Sequence, residues 1–306
     1  MKQTMAAAWR YILPTLVACL WIGPPPIKGA DFELKDGDRV VLLGSTLIER
    51  EQRYGYWETA LTARYPDRNI TFRNLGWSGD TVWGDARVAF DLDKPGIGLK
   101  RMVELTLAAK PTVILICYGT NESFAGEAGL EAFKKQYSKL LDDLTPAKAR
   151  IVLLSPLPFE QASQLRDPAE RNRALGRYCD AIKDLAAARG LQFADLFHAT
   201  RATAAPLTDN GMHLTDEGYR LTTADLEGSL GLEPTPVKRD EWEQLRKAIV
   251  EKNRLFFYRW RPQNETYLFG FRKHEQGKNA KEVAEFDPLI AEKEKEIAKL
   301  RAGYSH

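Results

Sequence analysis

The chain has 306 residues, 44% of them hydrophobic, with 44 Lys and Arg against 42 Asp and Glu for a formal net charge of +2. That apolar content supplies a sizeable core and places the chain among globular proteins, while the near balance of charge leaves no global field to recommend nucleic acid or an anionic membrane as partner. Three Cys without paired spacing give no disulfide framework, and with four His they give no zinc-ligand pattern, so no metal or organic cofactor is implied.

The first stretch reads as a leader. Lys2 and Arg10 precede an apolar run from Tyr11 to Ile22, which Gly23-Pro24-Pro25-Pro26 ends and the small pair Gly29-Ala30 follows. This pattern predicts a signal peptide over residues 1–30, too short to persist as a membrane span, so the mature protein is expected in the periplasm or outside the cell with no integral span. Leu16-Val17-Ala18-Cys19 also resembles a bacterial lipoprotein processing site with Cys19 acylated, although Leu20-Trp21-Ile22 stays apolar past the Cys and favours simple export.

Five short apolar runs then alternate with helical patterns. The runs Arg39 to Leu43, Ile70 to Asn74, Thr112 to Tyr118, Arg150 to Ser155 and Leu191 to Asp195 predict parallel strands. Between them, Tyr56 to Tyr65, Leu99 to Ala109, Leu130 to Leu144 and Ala169 to Arg189 carry apolar residues at helical spacing, with Gly190 as a stop. The alternation predicts an α/β fold, a three-layer α/β/α sandwich around a five-stranded parallel sheet. Cys117, inside Val113-Ile114-Leu115-Ile116, is expected to be a buried thiol.

A last helix of this unit, about Thr215 to Leu230, begins with Thr215 before acidic Asp216 and Glu217, and Gly231-Leu232-Glu233-Pro234-Thr235-Pro236 reads as a linker. Residues 31–232 are therefore expected to form the α/β domain. Residues 233–306 form an extension with a helix from about Arg239 to Phe257, an aromatic and basic stretch from Tyr258 to Arg272, and a charged helix from Asp287 to Leu300. Too small to own a core, the extension is expected to pack on the domain. Its alternating charges from Glu292 to Arg301 suit a solvated helix, with a partner interface as the alternative.

Four segments carry the chemistry: Val40-Val41-Leu42-Leu43-Gly44-Ser45-Thr46-Leu47, Asn74-Leu75-Gly76-Trp77-Ser78-Gly79-Asp80-Thr81, Gly119-Thr120-Asn121-Glu122 and Asp209-Asn210-Gly211-Met212-His213-Leu214. The first is a buried strand that delivers hydroxyl residues into a turn, where ligands and nucleophiles gather in such sheets. In this order the four resemble the SGNH (GDSL-like) hydrolase family over roughly residues 38 to 229. The resemblance implies a Ser nucleophile after strand one, a position that Thr46 occupies here, an oxyanion-binding Gly after strand two, an oxyanion-binding Asn after strand three, and an Asp-x-x-His pair near the end.

Carried onto this chain, the resemblance puts the nucleophile at Thr46, with Ser45 where the Asp of Gly-Asp-Ser stands in the family and as the rival hydroxyl. The plain alternative for either is a cap on the following helix. Gly79 and Asn121 fall on the oxyanion positions and His213 on the base, which takes the nucleophile's proton and returns it to the leaving alcohol. Asn210 occupies the place of the family's Asp. An amide can hold the imidazole but cannot stabilise its cation by charge, and adjacent Asp209 is the other acid in reach. His198 reads as structural or substrate-facing. Trp57, Trp77 and Trp83 flank the first two motif loops, as cleft lining for sugars or acyl chains or as core.

Two functions follow as expectations. The first is an exported hydrolase that cleaves small acyl esters, including acylated carbohydrate, through an acyl-enzyme and without a cofactor. The second is a catalytically lapsed module of the same fold that binds carbohydrate or a partner protein.

Overall fold

The computed structural model describes residues 32–200, 205–237 and 239–304. The expected signal peptide, with Cys19, lies outside them. Five strands, β1 (Arg39–Gly44), β2 (Thr71–Asn74), β3 (Val113–Cys117), β4 (Arg150–Leu154) and β5 (Gln192–Ala194), form one sheet in the order β2-β1-β3-β4-β5, every pair parallel. Each strand matches its expected range to within a residue or so at either end.

Burial explains the composition. β3 is buried at all five positions, as a central strand covered on both faces must be, so it reads as an unbroken apolar run. In β1 the period of two sorts side chains between two cores. Val40 and Leu42 join Trp57, Leu61, Tyr219 and Leu226 on one face, whereas Val41 and Leu43 join Met102, Phe133, Tyr137 and Ile182 on the other.

The helices are α1 (Thr46–Tyr54), α2 (Tyr56–Ala63), α3 (Ile97–Ala108), α4 (Gly126–Leu144), α5 (Pro168–Arg189), α6 (Leu196–Ala199) and α7 (Asp216–Ser229), followed by α8 (Arg239–Trp260), α9 (Glu265–Leu268), α10 (Lys273–Gln276) and α11 (Phe286–Ala302). The sequence assigned no range to α1. Its buried residues include Glu49, Glu51 and Gln52, so it lacks the apolar stripe that announces a helix. These polar groups are used locally: Glu51 accepts the N–H groups of Trp57 and Glu58 at 2.8 and 3.2 Å, which satisfies the free donors at the start of α2.

All eight residues of α2 are buried, because the chain covers it twice. Trp57 and Leu61 face the sheet, while Ala60 and Ala63 pack on Trp242, Leu245, Ala248 and Ile249 of α8, joined by Ile297 and Tyr304. α8 also lies against α1 and β2, with α11 on top of it. A buried ion pair pins the contact: Lys252 Nζ lies 2.7 Å from Glu58 Oε1 and donates to the Phe72 carbonyl at 3.1 Å. Among the described residues no helix is long and apolar enough to cross a membrane.

The chain leaves β1 toward β2 on one side and returns to place β3 on the other. Strand order therefore reverses between β1 and β3, and the loops after the strands diverge there into a crevice.

Candidate active site

At the end of β1 the backbone has no room for a side chain. A Cβ on Gly44 would stand 2.4 Å from the Cys117 carbonyl oxygen and 2.6 Å from Ile48 Cγ1, so glycine alone lets β1 turn into α1 this close to β3. Ser45 is the residue before the helix; its carbonyl accepts the Glu49 N–H at 3.0 Å, but its side chain is buried and makes no capping bond. Thr46 opens α1. Its Oγ1 accepts the N–H of Gly79 at 3.1 Å, at a helix N-terminus where backbone dipoles favour negative charge.

Gly79 sits in the turn after β2 with φ of 77°, a left-handed conformation that strains any residue with a Cβ. The turn is anchored on both sides. Trp77 N–H donates to the Gly44 carbonyl at 3.0 Å, and Asp80 N–H to the Trp77 carbonyl at 3.0 Å. Glu49 accepts from Ser78 through both N–H and Oγ, each at 2.8 Å, and its other contact is Arg261 Nη1 at 2.6 Å. Arg261 also stacks over the Trp77 ring, 3.6 Å from its centroid. The extension thus braces the turn that presents Gly79.

Below the turn lies a buried polar network. Asp80 is wholly buried and accepts Arg87 Nε at 2.7 Å and Tyr118 Oη at 3.0 Å, while Arg87 Nη2 donates to the Leu75 carbonyl at 2.8 Å. The Asp80 carbonyl accepts the Asn121 amide at 2.8 Å, which sets the side chain of Asn121 beside the Gly79 turn. Glu122 ties the same two loops together. One carboxylate oxygen accepts Val82 N–H at 2.8 Å and the other Gly119 N–H at 2.9 Å. Burial pushes this carboxyl up to about 7, and these N–H donors oppose the shift only in part.

The fourth segment forms a tight loop before α7. Asp209 N–H donates to the His213 carbonyl at 2.9 Å, and Glu160 accepts Thr208 N–H at 2.8 Å. Asn210 Oδ1 accepts the N–H groups of Met212 and His213 at 3.1 and 3.0 Å, and its Nδ2 lies 3.1 Å from His213 Nδ1. Asp209 does not serve the ring in this arrangement: its carboxylate pairs with Arg50 at 3.0 Å. Arg50 stands four residues after Thr46 on α1, hence on the same helix face. Burial foremost, and then the Arg50 cation, holds the His213 ring below the ordinary histidine value, with Asp209 acting in the opposite sense.

Several of these residues carried no expectation. Arg50, Glu122, Glu49 and Arg261 touch the motif residues or their turns; the signal for Arg50 was its helical spacing from Thr46, visible once α1 is assigned. Trp57 is core, with Nε1 donating to Thr222 at 3.3 Å, whereas Trp77 packs edge-on against Trp260, 5.8 Å between centroids. Trp83 is partly buried against the second core cluster. His198 pairs with Asp195 at 2.9 Å on the far side of β4, with its ring mostly exposed. Cys117 is buried and its thiol is pushed up to about 12, which leaves it unreactive.

Comparison with known proteins places the fold and the family. No curated protein matches the sequence. Among solved structures, a catalytic mutant of Axe2, an acetylxylan esterase from Geobacillus stearothermophilus, shares 20% identity with a TM-score of 0.52, over 68% of this chain and 100% of its own. LAE5, an alpha/beta hydrolase enzyme from the metagenome of Lake Arreo, Spain, gives 18% and 0.50 over 65% and 97%. BT4096, described as a gut microbial diltiazem-metabolizing enzyme, gives 19% and 0.51 over 65% of this chain, which spans 48% of that protein's length. These likenesses establish a shared fold. The GDSL-like Lipase/Acylhydrolase family model matches residues 40–221, the stretch that runs from β1 through the His213 loop into α7, and with well over half of the chain inside that match this protein is a member of that family of ester hydrolases.

Proposed function

We propose that the protein is an exported hydrolase of small carboxylic esters, acetylated carbohydrate included, that works through an acyl-enzyme on Thr46. The observation that carries this reading is the 3.1 Å contact between Thr46 Oγ1 and the Gly79 N–H, with the Asn121 amide tied to the next carbonyl along. Thr46 is preferred over Ser45 because Ser45 is buried and lacks this contact. The family gives ester hydrolysis; export rests on the leader pattern, and acetylated carbohydrate on the indole pair Trp77 and Trp260 together with the acetylxylan activity of the Axe2 neighbour.

The steps follow from the groups. His213 takes the Thr46 proton as the hydroxyl oxygen bonds to the acyl carbon, and the carbonyl electron pair moves onto oxygen. The Gly79 N–H, released from Thr46, and the second N–H of the Asn121 amide donate to that oxyanion. Collapse of the intermediate expels the alcohol with the proton from His213. Water then repeats the sequence to release the acid and regenerate Thr46.

Full-length protein is expected to release p-nitrophenol from p-nitrophenyl acetate, with Thr46→Ala and His213→Ala both at the uncatalysed background. Rates equal to wild type in either variant would refute the assignment. The amide at Asn210 favours a second reading, a binding module without turnover. Retention of acetylated xylan by the protein with no release of acetate would select it.

A further inference from the structure

The contacts of Asn210 fix the protonation pattern of His213 as well as its position. Oδ1 accepts two backbone N–H groups, from Met212 and His213, so the atom 3.1 Å from His213 Nδ1 is the amide nitrogen. An amide nitrogen offers hydrogens and no lone pair, so it donates, and Nδ1 meets it with its own lone pair. A neutral imidazole carries one proton. With Nδ1 accepting, that proton is on Nε2. Turning the amide over would present Oδ1 to an Nδ1–H, but it would also press the NH2 group against two backbone donors at once.

Nε2 is the ring nitrogen left to take the nucleophile's proton, since Nδ1 is engaged by Asn210. We propose that Asn210 is a positioning residue that locks the resting His213 ring as the Nε2–H tautomer and thereby throttles hydrolysis. This rests on the assignment of His213 as general base made above. Acylation sends the Thr46 proton to an Nε2 lone pair. A ring already protonated there has no place for it until its own proton moves through solvent to Nδ1, where it then opposes the amide N–H of Asn210. A carboxylate at position 210 reverses every part of this: it accepts from Nδ1–H, leaves Nε2 free, and stabilises the imidazolium that forms. The charged groups facing the ring do not undo the lock, because Asp209 is engaged by Arg50.

The test is long-range proton–nitrogen NMR of the full chain at a pH where His213 is neutral. Wild type is expected to show a protonated Nε2 and a bare Nδ1. In Asn210→Asp the pattern should invert, the ring should titrate at higher pH, and kcat on p-nitrophenyl acetate should rise by up to roughly 10⁴-fold, the scale of loss when an amide replaces the acid of a serine protease triad. A wild-type ring protonated on Nδ1, or a variant whose tautomer is unchanged, overturns the lock, and the wild-type spectrum decides the matter even if the variant does not fold. Spectra that behave as expected in two proteins that hydrolyse no ester would uphold the lock and remove the hydrolase reading instead.

Discussion

At the scale of the residue, the site is a set of weak groups made useful by their neighbours. A threonine hydroxyl is a stiffer nucleophile than serine because its methyl restricts χ1 and crowds the attack path. Thr46→Ser is therefore expected to raise kcat severalfold without change in fold, as measured by initial rates and circular dichroism. The His213 ring, half-buried and beside Arg50, loses its proton more readily than an ordinary histidine near about 6.5. A general base works in its neutral form, so the acid limb of kcat/KM should lie below that value. Arg50→Gln removes the cation and frees the Asp209 carboxylate, and both changes stabilise the imidazolium. The limb should then move to higher pH; a limb that stays in place would show that Arg50 does not govern the ring.

At the scale of the element, the loops after β2 and β3 act as one piece because Glu122 and the Tyr118–Asp80 hydrogen bond join them. Glu122→Gln would set an amide donor against one of two backbone donors, at a cost of about 1–3 kcal/mol. Its pH dependence is specific. A carboxyl raised to about 7 takes up a proton in the folded state at a pH where the unfolded chain does not, so wild type gains stability relative to Glu122→Gln as pH falls from about 7 toward its ordinary range. Chemical denaturation of both proteins across that window checks the sign. The strands were legible because buried parallel strands are written as unbroken apolar runs, and β3 is the clearest instance. α1 was not, since Glu49, Glu51 and Gln52 are buried polar residues that break its apolar pattern. The motif order in the sequence brought Thr46, Gly79, Asn121 and His213 to attention. Arg50, Glu122 and Arg261 stayed silent because a single polar contact between distant segments leaves no periodicity to read.

At the scale of the whole molecule, the extension completes the body. It covers α2, burying Ala60, Ala63 and the paired Glu58 on the side away from the sheet, and it reaches the Gly79 turn through Arg261 and Glu49. Lys252→Ala would remove the buried cation paired with Glu58, and a loss of about 3–5 kcal/mol in unfolding free energy is expected. Arg261→Ala should lower kcat with a smaller effect on stability, since it loosens the turn without opening the core; a change in stability alone would confine the extension to a structural role. In the proposed reaction Thr46 Oγ1 is the atom that carries the acyl group. Rapid acid quench of the enzyme with p-nitrophenyl acetate, followed by peptide mass spectrometry, is predicted to find the acetyl group on Thr46, and acetyl found on Ser45, or steady hydrolysis with no acylated peptide at all, would contradict it.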